Sequence, residues 1–407
     1  SMRQILAVII GFSFIPILTK KKIPIAYSIL ASAGIMILIS GLGLDSIGNI
    51  FKATVLDTRK IGQYLTVVEI GVLGVLLKKY DFIQTIIDKL NRVVPNKKLQ
   101  LMFIPALIGL LVVPGGAIIS APFIDKIGDE LDIEKPRRAI INLIYRHISM
   151  HIMPYSNGLL LMALLLPQVS VYNVIAFNFI FVAIYVTIGY FTYIKDIKYK
   201  KSEKQEGSVL NNILQLALYT APIYFAVILN MAFKIPFYIG VLVNMGLLYI
   251  LRPRKTIIKD ILESINVNVF LTILGVYLIQ ATISNFPDFN RMLESLLSNP
   301  NTLILSMIGI STFFGLATGF QPAAMGVIIP VIGGMSMSLA RMTALAHIAF
   351  AWSFVGYFFS PLHLCQLFTV QYMKLDNAEV YKKYSKFIIF LVIALLIENF
   401  ILLTIIK

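Results

Sequence analysis

One arginine and four histidines stand in stretches that are otherwise apolar, and chemistry is expected there first. Arg146 lies within an apolar segment with no charged residue close by. Burying an unpaired charge in a bilayer costs roughly 2.5–3.5 kcal/mol on insertion scales, so it needs a partner. A guanidinium fork matches carboxylate or phosphate, which points to an anionic substrate. The alternatives are an arginine that snorkels to a nearby membrane end, or a strut paired with Asp125 or Glu69. His147 and His151 share one helical face at i and i+4, but Ile-Ser-Met separates them, so the glutamate of a zinc-protease motif is absent. A proton-linked or structural role is expected for both, and no metal site. His363 stands beside a proline break and has a near-neutral pKa suited to proton coupling.

The breaks themselves carry more of the expectation. VVPGGAIISAPFID is followed by YRHISMHIMPYSNG, and much later LATGFQPAAMGVIIP is followed by HIAFAWSFVGYFFSPLHLC. Pro114 and Pro322 mark the first break of each pair, and Pro154 and Pro361 the second. The members of each pair lie about half the chain apart, the offset of a site between internal repeats of a transporter. Where a helix is interrupted, free N–H groups and the positive dipole end hold anions, and freed carbonyls can hold Na⁺. Substrate contacts are therefore expected from Gly115, Gly116, Arg146, Ser156, Asn157, Gly319, Gln321, Ser360 and His363, and coupling-ion contacts from Ser120, Gly158 and Thr318. The competing reading is that Gly and Pro only permit close helix packing. Glu69 and Glu398 are buried carboxylates without an assigned role, and Asn230, Asn244 and Gln280 read as interhelical hydrogen bonds.

These residues need an apolar scaffold, and composition provides it. The 407-residue chain is 58% hydrophobic and 14% charged, against about 25% charged in a soluble domain. Its net charge of +15 sits in short loops between apolar runs, which fits membrane topology better than nucleic acid. A single cysteine, Cys365, excludes an intrachain disulfide. Spans are expected at about 3–18, 24–43, 63–77, 139–166, 172–194, 209–232, 236–251, 266–285, 343–372 and 387–406, since roughly 20 apolar residues cross a bilayer core. Segments 101–124 and 302–335 break near their middles and read as re-entrant hairpins. That reading keeps the basic loops 78–100, 126–138, 195–204, 252–260 and 374–386 on one side with Lys20, Lys21 and Lys22, as the positive-inside rule requires. Stretches 81–94 and 289–300 read as amphipathic interfacial helices before each hairpin.

The topology resembles that of the ion-transporter superfamily, which includes divalent anion:sodium symporters and gluconate-type permeases. YRHISMHIMP and SPLHLCQLFTVQYMK more closely resemble a ten-helix membrane family filed as domain of unknown function four-hundred-one, and the likeness runs over nearly the whole chain. The chain departs from that family's pattern at Ser149-Met150, where an aromatic-acidic pair would stand. The superfamily resemblance implies an elevator mechanism and a homodimer.

The expected fold is an all-α polytopic membrane protein with about ten transmembrane helices and two re-entrant hairpins in two inverted repeats. The first repeat is 1–194: scaffold helices in 3–77, interfacial helix in 78–100, hairpin 101–124, broken helix 139–166 and helix 172–194. A cytoplasmic basic linker, 195–208, follows. The second repeat is 209–407: scaffold helices in 209–285, interfacial helix 289–300, hairpin 302–335, broken helix 343–372 and helix 387–406. The expected function is secondary active transport of a small, anionic solute across the cytoplasmic membrane, with the N-terminus outside and Na⁺ or H⁺ as coupling ion. No cofactor, catalytic residue or nucleic-acid partner is expected; membrane lipid is. A lipid-phosphate-handling protein or membrane enzyme is the alternative.

Overall fold

The computed structural model describes residues 2–110, 116–200 and 208–406. Among the described residues the chain is helical, with no strand. It opens with α1 (Met2–Lys20), α2 (Ile25–Ser40), α3 (Leu44–Val55), α4 (Thr58–Lys79) and α5 (Phe82–Val93). Next come α6 (Lys97–Gly109), α7 (Ala117–Glu130), α8 (Lys135–Arg146), α9 (Ile148–Ile152), α10 (Asn157–Leu165) and α11 (Val171–Tyr193). Beyond the linker lie α12 (Val209–Phe233), α13 (Phe237–Leu251), α14 (Ile257–Glu263), α15 (Val267–Ser284) and α16 (Pro287–Ser298). The chain finishes with α17 (Leu303–Thr318), α18 (Gln321–Gly334), α19 (Leu339–Phe358), α20 (Leu364–Met373) and α21 (Asn377–Ile405).

Polar residues start these helices where orphan N–H groups need acceptors. Asp57, Asn96 and Asn266 each accept from the backbone N–H two residues on, and Asp376 with Glu379 closes a capping box before α21.

Eight helical segments of the described chain are long and apolar enough to cross a membrane. They correspond to eight of the ten expected spans; α2 and α13, with 16 and 15 residues, are apolar but shorter. The chain is thus a polytopic membrane protein. The amphipathic α3 and the short α14 were not expected from sequence, because both are shorter than a span and carry charged residues. The expected break at 139–166 is real, since α8, α9 and α10 divide it, and 343–372 divides into α19 and α20.

Charged loop residues tie the chain together at its ends. Lys97, at the start of α6, forms an ion pair with Glu130, at the end of α7, so these packed helices run antiparallel. The same end gathers Arg137 onto the Tyr193 carbonyl and Asp196, Lys98 onto the Lys195 carbonyl, and Glu134 onto Lys383. Arg138 is buried against Gly128 and bonds Asp125 at 2.8 Å and Asp129 at 2.6 Å. Elsewhere Lys79, Tyr80 and Thr256 converge on Asp260, and the Lys79 hydrogen bond leads in holding that carboxyl down at about 2.

A buried polar network joins α11, α19 and α21. Asn178 donates its amide to the His151 carbonyl, which leaves its oxygen to accept from His347 Nδ1 at 2.8 Å. His347 Nε2 lies 2.8 Å from Glu398, so ring and carboxylate share one further proton. Turned to donate to Glu398, the Asn399 amide also accepts from Trp352. Removing one partner strands a buried charge, so His347→Ala should lower stability by about 3–5 kcal/mol. Thermal unfolding in detergent checks this: His347→Ala combined with Glu398→Ala should cost less than the two single changes added, and strict additivity would contradict the shared proton.

Candidate functional site

A cavity of about 270 Å³ lies where the two broken segments meet. One wall comes from α2, α4 and α15, through Ile25, Val67, Val269, Thr272 and Ile273. The facing wall comes from α8 to α10, the turn between α17 and α18, and the end of α19 with the start of α20. The first turns of α10, α18 and α20 border the space through Asn157-Gly158, Gln321-Pro322 and Leu364-Cys365. The start of α15 adds Asn266 and Asn268. First-turn N–H groups have no intrahelical acceptor, and each N-terminus carries about half a positive charge. With Arg146 on the same wall, the largely apolar cavity carries a positive patch suited to an anion.

Breaking a helix here is feasible because side chains take up the freed carbonyls. His147 Nδ1 donates to the Leu143 carbonyl at 2.6 Å, Asn178 to that of His151, and Ser156 to that of Met150 at 3.0 Å. Across the site His363 Nδ1 donates to the Phe358 carbonyl at 3.0 Å and Tyr381 to that of Phe359. Ser360 reaches the Leu316 carbonyl at 2.6 Å, bridging α17 to the break.

Of the residues expected to contact substrate, the structure brings Arg146, Asn157, Gly319 and Gln321 to the cavity wall, and Gly158 from the coupling-ion set joins them. His363 stands directly behind the wall, 3.0 Å from the cavity-lining His147. Ser156 and Ser360 are turned to the carbonyls just named. Gly116 precedes α7 and does not line the cavity, and Gly115 lies outside the described residues. Thr318 serves its own turn, accepting from the Phe320 N–H. Ser120 donates to Asn142, whose amide bonds the Ala117 carbonyl and the Thr369 hydroxyl. That junction joins α7, α8 and α20 away from the cavity.

Arg146 is 4% exposed, so its side chain does not run out to an exposed surface. Asp125, one partner suggested by the sequence, goes to Arg138. His147 and His151 are separated by a change of helix: His147 turns to Tyr357 and His363, whereas His151 stacks on Phe181 with centroids 4.3 Å apart. Sequence reasoning missed Ser149, Asn266, Asn268, Thr272, Tyr357 and Cys365 at the cavity. Asn266 had a legible signal, an N-cap just before an apolar run. Tyr357 and Cys365 had none, because they reach the site through His147, more than two hundred residues away.

Gln321 donates to the Phe350 carbonyl at 3.0 Å, while its buried Oε1 has no hydrogen bond to a described residue. A Cβ on Gly158 would meet that oxygen at 3.0 Å, so Gly158 keeps the two first turns in contact. Gly109 is equally constrained, since a Cβ there would lie 2.2 Å from the Arg146 carbonyl.

A family model described as protein of unknown function (DUF401) matches residues 4–406, and the chain belongs to that family. No curated protein matches the sequence.

Gly319 is constrained twice over, at φ +60° and where a Cβ would come within 2.6 Å of Leu362. The left-handed backbone alone costs an L-residue roughly 1–2 kcal/mol, and contact with backbone that cannot yield adds to it. Gly319→Ala should therefore lower the thermal midpoint clearly, while Gly309→Ala, with open space at its Cβ, should leave it unchanged. Equal midpoints for both variants would show that the turn is not held as described.

Proposed function

We propose that this member of the DUF401 family is a secondary active transporter for a small anionic solute, working by an elevator movement coupled to Na⁺ or H⁺. The observation that carries the reading is the convergence of Arg146 with the first turns of α10, α18 and α20 on one cavity. Its volume of about 270 Å³ falls just below the roughly 300–1,000 Å³ of pockets for drug-sized ligands. The substrate is accordingly a compact anion rather than a lipid, and the chain needs no enzymatic chemistry.

Packing supports a two-repeat architecture with the boundaries 1–194 and 209–407. The contacts α1 with α2, α6 with α7 and α8, and α2 with α15 have counterparts in α12 with α13, α17 with α18 and α19, and α13 with α4. Likewise α7 packs on α20 as α18 packs on α10. The antiparallel pair α6–α7 and the packed pair α17–α18 fit re-entrant hairpins. In this reading α2, α4 and α15 belong to the fixed scaffold and the opposite wall moves, which places the substrate between two bodies. The architecture is that of the ion-transporter superfamily, acting as a homodimer in the cytoplasmic membrane. The basic loops clustered around Arg137, Lys98 and Lys383 would face the cytoplasm, and the N-terminus the outside.

The test is uptake into proteoliposomes of dicarboxylates, sugar acids, amino acids and metal oxyanions under imposed Na⁺ or H⁺ gradients. At least one anion should accumulate only with a gradient. Arg146→Ala should reduce its uptake at least tenfold, since a hydrogen bond to a charged group contributes about 1.5–3 kcal/mol. Uptake that ignored every gradient would remove the coupling, and unchanged uptake by Arg146→Ala would remove the anion site.

A further inference from the structure

We propose that His147, His363 and Cys365 form a binding site for a transition-metal ion of the zinc class, with an open coordination position toward the central cavity. The three residues come from both broken segments. His147 sits at the joint of α8 and α9, His363 caps α20, and Cys365 lies in the first turn of α20. All three are buried, at 2%, 0% and 4% exposure. Their ligand atoms lie within 4.8 Å of one another.

The hydrogen bonds fix which ring nitrogens are available. His147 Nδ1 faces the Leu143 carbonyl and His363 Nδ1 faces the Phe358 carbonyl. A carbonyl only accepts, so each Nδ1 bears the proton and each neutral ring presents a lone pair at Nε2. The two Nε2 atoms stand 3.0 Å apart. Two facing lone pairs repel unless something positive lies between or beside them. The Tyr357 hydroxyl, 3.3 Å from His147 Nε2, is a long donor to one of them. A thiol as the third member favours a metal ion over a proton, because thiolate with imidazole is the donor set of zinc and copper rather than of Na⁺ or Mg²⁺.

The nitrogen pair suits one ion, and the sulfur, within 4.8 Å of it, would close to about 3.5 Å on binding. With metal–nitrogen bonds of about 2.05 Å, nitrogens 3.0 Å apart subtend an angle of about 95°, close enough to tetrahedral for a small opening movement to reach it. An Nδ1–H donated to a backbone carbonyl is also how metal-bound histidines are oriented. His147, Tyr357 and Cys365 line the cavity, so a fourth ligand, water or an anion, would enter from there. On binding, the thiol proton leaves to solvent. A divalent ion with one thiolate retains one positive charge, which adds to the anion preference of the cavity. The site stands on its own residues and does not depend on the transport reading.

The test uses the full-length protein in detergent without a histidine tag, stripped with a chelator and then titrated with Zn²⁺ by calorimetry and with Co²⁺ by absorption. One Zn²⁺ per chain and a thiolate-to-cobalt charge-transfer band are expected. Cys365→Ser should abolish that band and weaken Zn²⁺ binding at least tenfold while leaving the metal-free thermal midpoint unchanged. His363→Ala should weaken binding to a similar degree. Absence of Zn²⁺ binding by the wild type would overturn the proposal. So would a cobalt spectrum without thiolate character, or one-to-one binding that survives in the variant carrying both substitutions.

Discussion

Backbone hydrogen bonding in an apolar surround is the constraint on which the rest of this molecule depends. Inside lipid an orphaned carbonyl or N–H has no water to turn to, so a span can break only where protein supplies the missing partners. Here the carbonyls at the breaks of 135–165 and 339–373 are taken by His147, Asn178, Ser156, His363 and Tyr381, and the Leu316 carbonyl nearby by Ser360. Each break draws these partners from its own half of the sequence, and the two breaks meet where His147 and His363 stand 3.0 Å apart. The first turns of α10, α18 and α20 are what remains, and residues of all three border one cavity. An electropositive lining follows from how the helices end before any charged side chain is counted.

Glycine does for the backbone what those side chains do for the carbonyls. Gly109, Gly315, Gly319 and Gly356 each have another segment's backbone where a Cβ would stand. Helices in lipid lack a hydrophobic drive toward one another and rely on such close approach. The α17–α19 contact is of this kind, with Gly315 against the Ser353 carbonyl and Gly356 against that of Thr312.

Much of this was legible in the sequence because it is local. Pro154, Pro361 and Gly319 announced interruptions, and hydrophobic runs announced spans, since both signals need only a residue's own neighbours. The direction of α6 and α7 was legible more indirectly, from loop charge, and the Lys97–Glu130 pair is its physical counterpart. What stayed hidden depends on partners far along the chain. Ser120 had the composition of an ion ligand, but Asn142 holds its hydroxyl. Glu398 looked like an unassigned carboxylate until α19 brought His347 to it. His147 looked paired with His151 by helical spacing, and the end of α8 at Arg146 sends the two rings to different neighbours. No periodicity records where a helix will stop inside an apolar run.

The crossed contacts between halves also bear on how the chain is made. Residues 117–130 pack against 364–373, and residues 157–165 against 321–334. A ribosome delivers the N-terminal half first, so α7 and α10 emerge long before the helices that cover them. Until α20 is synthesised, the first broken segment lacks His363 and the junction of Asn142 with Thr369. The early half therefore waits in the bilayer with the buried side chains of its broken segment only partly paired. Assembly of the cavity becomes one of the last events of biogenesis, and the interval before it is when the nascent protein most needs shielding from lipid, water and other unfinished chains.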